Sequence, residues 1–294
     1  MPHAAAEGGR LYYEETGEGY PIVFAHEFAA DHREWEGQVR YFARQYRCIT
    51  FAARGYPPSD VPLDTRLYEY DHQVEAIVAV MRHLAIAKAH VVGLSMGAYS
   101  AVHFGLRHPD LASALVVAGC GSGSPLSARE RFRIESEAQA ARFDAEGMER
   151  VAPDMAVGAT RIQLHNKDRR GWDEFLRHLQ QHSATGSALT MRNFQARRPS
   201  LQDFEPDLAK MEVPTLLICG DEDEPCLETN LFLKRTIPRC GLFVVPNTGH
   251  AVNLEEPAAF NEAMASFFAA AERGTWPRRD PRSKAATLLS MGKA

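Results

Sequence analysis

No stretch of this 294-residue chain stays apolar for the roughly 18 residues that a membrane-spanning helix requires. Basic charge is not in excess either. The 33 Lys and Arg against 38 Asp and Glu leave a formal net charge of −5, which gives no general pull towards nucleic acid or anionic membrane. The opening residues, MPHAAAEGGRLYYEE, contain no basic segment followed by an apolar one, so a secretory leader is not expected. Cysteine is sparse, odd in number and dispersed, at Cys48, Cys120, Cys219, Cys226 and Cys240. That excludes a disulfide framework and leads us to expect free thiols in a cytoplasmic setting. What remains is an ordinary globular composition, 45% hydrophobic and 24% charged, in a chain long enough for one large core with an insertion.

Short runs rich in Val, Ile, Leu and Ala recur at Ile22–Ala25, Arg47–Ala52, His90–Leu94, Ala114–Ala118, Thr215–Cys219 and Leu242–Val245. Runs this continuously apolar suit strands buried on both faces, as in a parallel sheet. Helical patterns separate them. Tyr70–Leu84 carries Val74, Ile77, Val78, Met81 and Leu84 on one stripe. The alternation predicts an α/β fold with a doubly wound, mostly parallel sheet. Residues 122–208 break it, because ARERFRIESEAQAARF and WDEFLRHLQQH read as amphipathic helices with no buried strand between them. The expected organisation is a core over 1–121 and 209–274, a helical cap over 122–208, and a loose tail over 275–294.

The stretch HVVGLSMGAYS sets a Gly-x-Ser-x-Gly at a strand-to-helix turn. Glycines at Gly93 and Gly97 let that turn be sharp. It would lift Ser95 Oγ to a helix N-terminus, where backbone N–H groups favour a developing anion. A serine hydroxyl needs a base. His250, in VVPNTGHAVNLEEP, follows a strand on a short loop and is the candidate among twelve histidines. The imidazole in turn needs a carboxylate to fix its tautomer. GDEDEP offers Asp221, Glu222, Asp223 and Glu224, of which Asp223 is preferred because it lies past the strand end on a turn that can reach inward.

With FAHEF, FAARGYPPSD, GLSMG, CGDED and NTGH in this order, the chain resembles the α/β-hydrolase superfamily from about Arg10 to Gly274. The resemblance implies Ser95 as nucleophile, Asp223 as acid, His250 as base, and an oxyanion hole from the backbone N–H groups of Phe28 and Met96. It also implies a small-molecule substrate without cofactor, nucleic acid or membrane. The reaction it implies first is hydrolysis of a small carboxylic ester or lactone. Cleavage of C–C bonds in ring-fission products, or a hydrolase-like small-molecule receptor, are the alternatives.

Two positions depart from the family pattern. Ala52 stands where an acidic neighbour of Arg54 is usual, and Glu27 stands where glycine follows the histidine of the oxyanion loop. Three placements of Glu27 are open: bonded to its own loop or to Arg54, facing the pocket as a substrate contact, or exposed at the surface. No metal is expected, since His26-Glu27 is not followed by the second histidine of H-E-x-x-H. In the cap, Trp172, Phe175, Met191 and Phe194 are candidate substrate contacts, although such spacing also serves plain helix packing.

Overall fold

The computed structural model describes residues 2–284. Eight strands form one sheet: β1 His3–Ala6, β2 Gly9–Thr16, β3 Tyr20–Ala25, β4 Tyr46–Phe51, β5 Ala89–Leu94, β6 Ala112–Ala118, β7 Thr215–Gly220 and β8 Cys240–Val245. Their spatial order is β1-β2-β4-β3-β5-β6-β7-β8. β1 and β2 pair antiparallel at one edge, and every pair from β4 onwards is parallel. All six expected strands are present within one to two residues. The sequence reading leaves out the β1–β2 pair, whose four-residue β1 is too short to show a period, although Gly8-Gly9 between two runs is a hairpin signal.

The helices are α1 Glu36–Phe42, α2 Tyr70–His83, α3 Met96–Arg107, α4 Arg129–Ala156, α5 Ile162–Lys167, α6 Arg169–Gln180, α7 Ala184–Thr190, α8 Glu205–Leu208, α9 Glu224–Thr236, α10 Val252–Glu255 and α11 Pro257–Glu272. Side chains of a strand alternate between faces. Val23, Ala25 and Val91 therefore join Val74, Ile77, Met81, Val102 and Leu233 in a core against α2, α3 and α9. Ile22, Phe24 and Val92 join Phe42, Phe260, Met264 and Phe268 in a second core against α1 and α11. Every residue of β5 and β7 is buried, which is why these strands read as unbroken apolar runs.

Between β6 and β7 the chain leaves the sheet and builds α4 to α8. This helical excursion reaches the loops that follow the parallel strands: Arg161 meets Glu27, His182 meets Asp31, and Lys167 donates to Thr248 and Glu256. It therefore lies across the C-terminal edge of the sheet, where open α/β sheets carry their ligands.

The described part of the expected loose tail is held to the body. Trp276 Nε1 donates to the Arg239 carbonyl at 3.0 Å, Arg239 Nη2 donates back to the Trp276 carbonyl at 2.6 Å, and the indole stands edge-on to Phe267 at 4.7 Å. Polar composition concealed this contact, because one indole with a paired N–H outweighs several exposed charges. Residues 285–294 of that stretch lie outside the described residues. Among the described residues no helix is long and apolar enough to cross a membrane. All five cysteines are buried and unpaired.

Candidate active site

β5 ends at Leu94 and α3 begins at Met96, so Ser95 turns the chain between them in a single residue. Its backbone sits at φ 54 and ψ −106, a strained conformation for a residue with a side chain. The surroundings hold it there. Ser95 N–H donates to the Ala118 carbonyl at 2.8 Å. A Cβ on Gly97 would lie 2.0 Å from the Ala25 carbonyl oxygen, so only glycine lets α3 approach the end of β3 this closely. Met96 opens α3, and a helix's first N–H groups have no carbonyl in a preceding turn to bond.

One residue beyond Ala118, Gly119 has φ +52, and a Cβ there would be 3.2 Å from His250 Nδ1. The Ser95 backbone and the His250 ring are thus set against adjacent residues at one strand end. His250 is buried and its Nδ1 is 2.8 Å from Asp223 Oδ2. Burial favours the neutral form of the Asp223 carboxyl, but the His250 charge and hydrogen bond outweigh it and hold the pKa below the usual value. Of the four acidic candidates, only Asp223 meets His250. Asp221 accepts from Thr248 N–H at 3.1 Å, and Glu222 bonds Gln163.

Glu255 holds the histidine loop, accepting Gly249 N–H at 2.6 Å and Ala251 N–H at 3.2 Å. Sequence reading misses this role. The signal was present, since a Glu a few residues after a loop can cap the helix start behind it. Cys226, which the sequence marks only as a free thiol, also adjoins the histidine. It stands one turn into α9 with Sγ 3.9 Å from His250 Nδ1, and burial pushes its thiol pKa well up. Asp223, Cys226 and His250 offer ligand atoms within 4.8 Å of one another. His250 Nδ1 and Asp223 Oδ2 are already engaged with each other, so a metal ion there would have to break that bond.

The loop after β3 is fixed by a relay of bonds. His26 Nδ1 donates to the Glu27 carbonyl at 2.6 Å, and its Nε2 accepts Ala53 N–H at 2.8 Å. Glu27 N–H donates to Glu34 Oε1 at 2.8 Å, and Tyr56 Oη donates to the Phe28 carbonyl at 3.0 Å. Burial, then the Glu27 charge, pushes the Glu34 carboxyl well above its ordinary pKa.

Glu27 itself takes neither the surface placement nor a bond to Arg54. It is 1% exposed, its Oε2 bonds Arg161 Nη2, and the same oxygen lies 4.0 Å from His250 Nε2. Arg54 instead donates to the carbonyls of Leu67 and Glu7, which occupy it where the acidic neighbour is missing. Arg161 belongs to the loop before α5 and had no local signal in the sequence, since its partner is 134 residues away.

The aromatic candidates divide. Phe175 is buried beneath Arg161, with the guanidinium carbon 5.5 Å from its ring centre. Trp172 donates to the Ala156 carbonyl at 2.5 Å and packs edge-on to His165. Phe194 is fully buried against Tyr99, and Met191 packs partly buried on the same core. A cavity of about 340 Å³ opens beside the loop after β3, with Asp31, Glu34, Leu164, Phe175 and Asn253 in its wall; Ser95, Asp223 and His250 do not line it.

A model described as the Alpha/beta hydrolase family matches residues 22–263. The chain is 26% identical over 246 residues to 3-oxoadipate enol-lactonase 1 of Acinetobacter baylyi, covering 84% of this chain and 87% of that protein. It is 27% identical over 276 residues to a 2-hydroxy-6-oxononadienedioate/2-hydroxy-6-oxononatrienedioate hydrolase of Pseudomonas putida, covering 88% and 91%. The solved enol-lactonase of Burkholderia xenovorans superposes with a TM-score of 0.81 at 21% identity, covering 91% of this chain and all of that one, a likeness of fold.

Proposed function

This chain belongs to the alpha/beta hydrolase family, and from that premise we propose that it is a serine hydrolase of small carboxylic esters or lactones. The buried Asp223–His250 bond of 2.8 Å, set against the strained Ser95 turn, carries the reading. In it, Asp223 keeps the proton of His250 on Nδ1, so that Nε2 is the basic nitrogen. His250 takes the proton of Ser95 Oγ as that oxygen attacks the substrate carbonyl. The N–H groups of Met96 and Phe28 receive the oxyanion. Collapse expels the alcohol, protonated by His250, and leaves an acyl-enzyme on Ser95. Water activated by the same imidazole then releases the acid. The excursion α4–α7 serves as the cap that excludes bulk water and bounds the substrate.

Similarity to the Pseudomonas putida hydrolase supports a second reading, in which the same residues cleave a C–C bond. Steady-state hydrolysis of p-nitrophenyl esters from acetate to decanoate separates the two. Repeated turnover that disappears in Ser95→Ala supports the ester reading, and its chain-length optimum sizes the pocket. Absence of turnover on every ester, or turnover that survives Ser95→Ala, would remove it.

A further inference from the structure

We infer that the Glu27 carboxylate binds a cationic group of the substrate, an ammonium or guanidinium close to the scissile carbonyl, and that the Arg161 side chain fills this position when no substrate is bound. The inference rests on the serine-hydrolase reading of the same site. Glu27 is held by the core, through its N–H to Glu34 and its carbonyl from His26. Its backbone therefore stays in place when Arg161 moves. It is one residue from Phe28, a proposed oxyanion donor, and its Oε2 is 4.0 Å from His250 Nε2. A group bound there lies beside the reacting carbonyl.

Arg161 is differently anchored. Its Nη1 donates to the neighbouring Thr160 carbonyl at 2.9 Å, its guanidinium lies over Phe175, and both partners belong to the cap. Among the described residues its one hydrogen bond to the core is to Glu27. Displacement of the Arg161 side chain leaves the buried carboxylate without its partner, which is unfavourable until another cation replaces it. Glu27 Oε1 is buried without a partner among the described residues, so the carboxylate has a free oxygen to offer.

The charge around the position decides the sign of the ligand. Glu27, Asp223 and Glu255 are all buried within reach of the Arg161 guanidinium, and the nearest other fixed cation, Lys167, is spent on Thr248 and Glu256. An incoming carboxylate would add a further negative charge to this group, whereas a cation complements it. Phe175, whose ring faces the Arg161 guanidinium, presents the same π-face to an incoming cation.

The test uses the wild-type protein first, with n-butylammonium, n-butylguanidinium, butyrate and n-butanol as competitors of p-nitrophenyl acetate hydrolysis. The two cations should inhibit competitively at concentrations about tenfold below butyrate and butanol. Arg161→Gln, which removes the resident cation, should strengthen cation inhibition about tenfold, and Glu27→Gln should erase the difference between cations and butanol. Should Glu27→Gln fail to fold, the wild-type order and Arg161→Gln suffice. Tighter binding of butyrate, weakened by Arg161→Gln, would overturn the inference and make Arg161 an anion site. Equal inhibition by all four would overturn it too. The same competitors are also followed by thermal stabilisation. Cation-selective stabilisation in a protein that hydrolyses no ester would uphold the binding inference while removing the ester reading.

Discussion

Glu27 Oε2 lies 4.0 Å from His250 Nε2, the ring nitrogen that Asp223 leaves free. The imidazole is thus flanked by two buried carboxylates, and Arg161 neutralises the second of them. A carboxylate beside a developing oxyanion opposes catalysis unless it is paired. Glu27 and Arg161 are therefore read as one unit.

A double-mutant cycle tests this unit. Side-chain exposures of 5% and 1% place both partners out of water, so removing either leaves an uncompensated buried charge. Glu27→Ala and Arg161→Ala should each lower unfolding free energy by about 3 kcal/mol. The double variant should lose less than their sum, by about 1–3 kcal/mol. Urea denaturation of the four proteins gives the coupling. Additive losses would show that the two charges do not depend on each other.

How far the sequence could reach is visible in these residues. Ser95 and His250 were legible because a strand-to-helix turn and a post-strand loop leave local marks, glycines at fixed offsets and a short polar run. Asp223 was separable from its acidic neighbours only by its place beyond β7. Glu27 was seen as anomalous but its surroundings were not, because they depend on Arg161 from a loop of the helical excursion. Glu34 and Glu255 were invisible for the same reason. A buried carboxyl that bonds backbone N–H groups leaves no period in the chain.

Acid should destabilise the fold through His26. Burial holds this imidazole neutral, with its pKa down at about 4. Its Nε2 must stay unprotonated to accept Ala53 N–H. The unfolded chain takes up that proton near pH 6.5 and the folded one refuses it until pH nears 4. The contribution is therefore complete above pH 6.5 and is lost as pH falls. Between pH 6.5 and 4.5 the loss should be about 2–3 kcal/mol. Urea midpoints at pH 7.5, 5.5 and 4.5 measure it, and His26→Asn should flatten the slope. An unchanged slope in that variant would assign the acid sensitivity elsewhere.

Gly97→Ala should damage fold and activity together. The added Cβ would meet the Ala25 carbonyl oxygen at 2.0 Å, and that oxygen is backbone, so relief requires α3 to move away from β3. The cost is about 1–3 kcal/mol or more, and the same movement displaces the Met96 N–H from the proposed oxyanion hole. Thermal melting and ester turnover should fall in parallel. A variant with native melting temperature and native turnover would refute the tight contact. Gly37, whose added Cβ would meet nothing within 4 Å, is the control position.

Asp223→Asn separates chemistry from stability. Asparagine matches the buried carboxylate in size and can keep a hydrogen bond to Nδ1, so the structural cost is small beside the chemical one. Its chemical effect is large. The asparagine amide can donate to Nδ1, which drives the imidazole proton to Nε2, and His250 then faces Ser95 with an N–H instead of a lone pair. Turnover should fall about 10⁴-fold with the melting temperature nearly unchanged. Cys226 does not replace the carboxylate, because burial keeps its thiol protonated. Ester hydrolysis at neutral pH, measured beside a thermal melt, reads both quantities. A loss under tenfold in a well-folded variant would mean that the 2.8 Å bond organises the loop without directing the base.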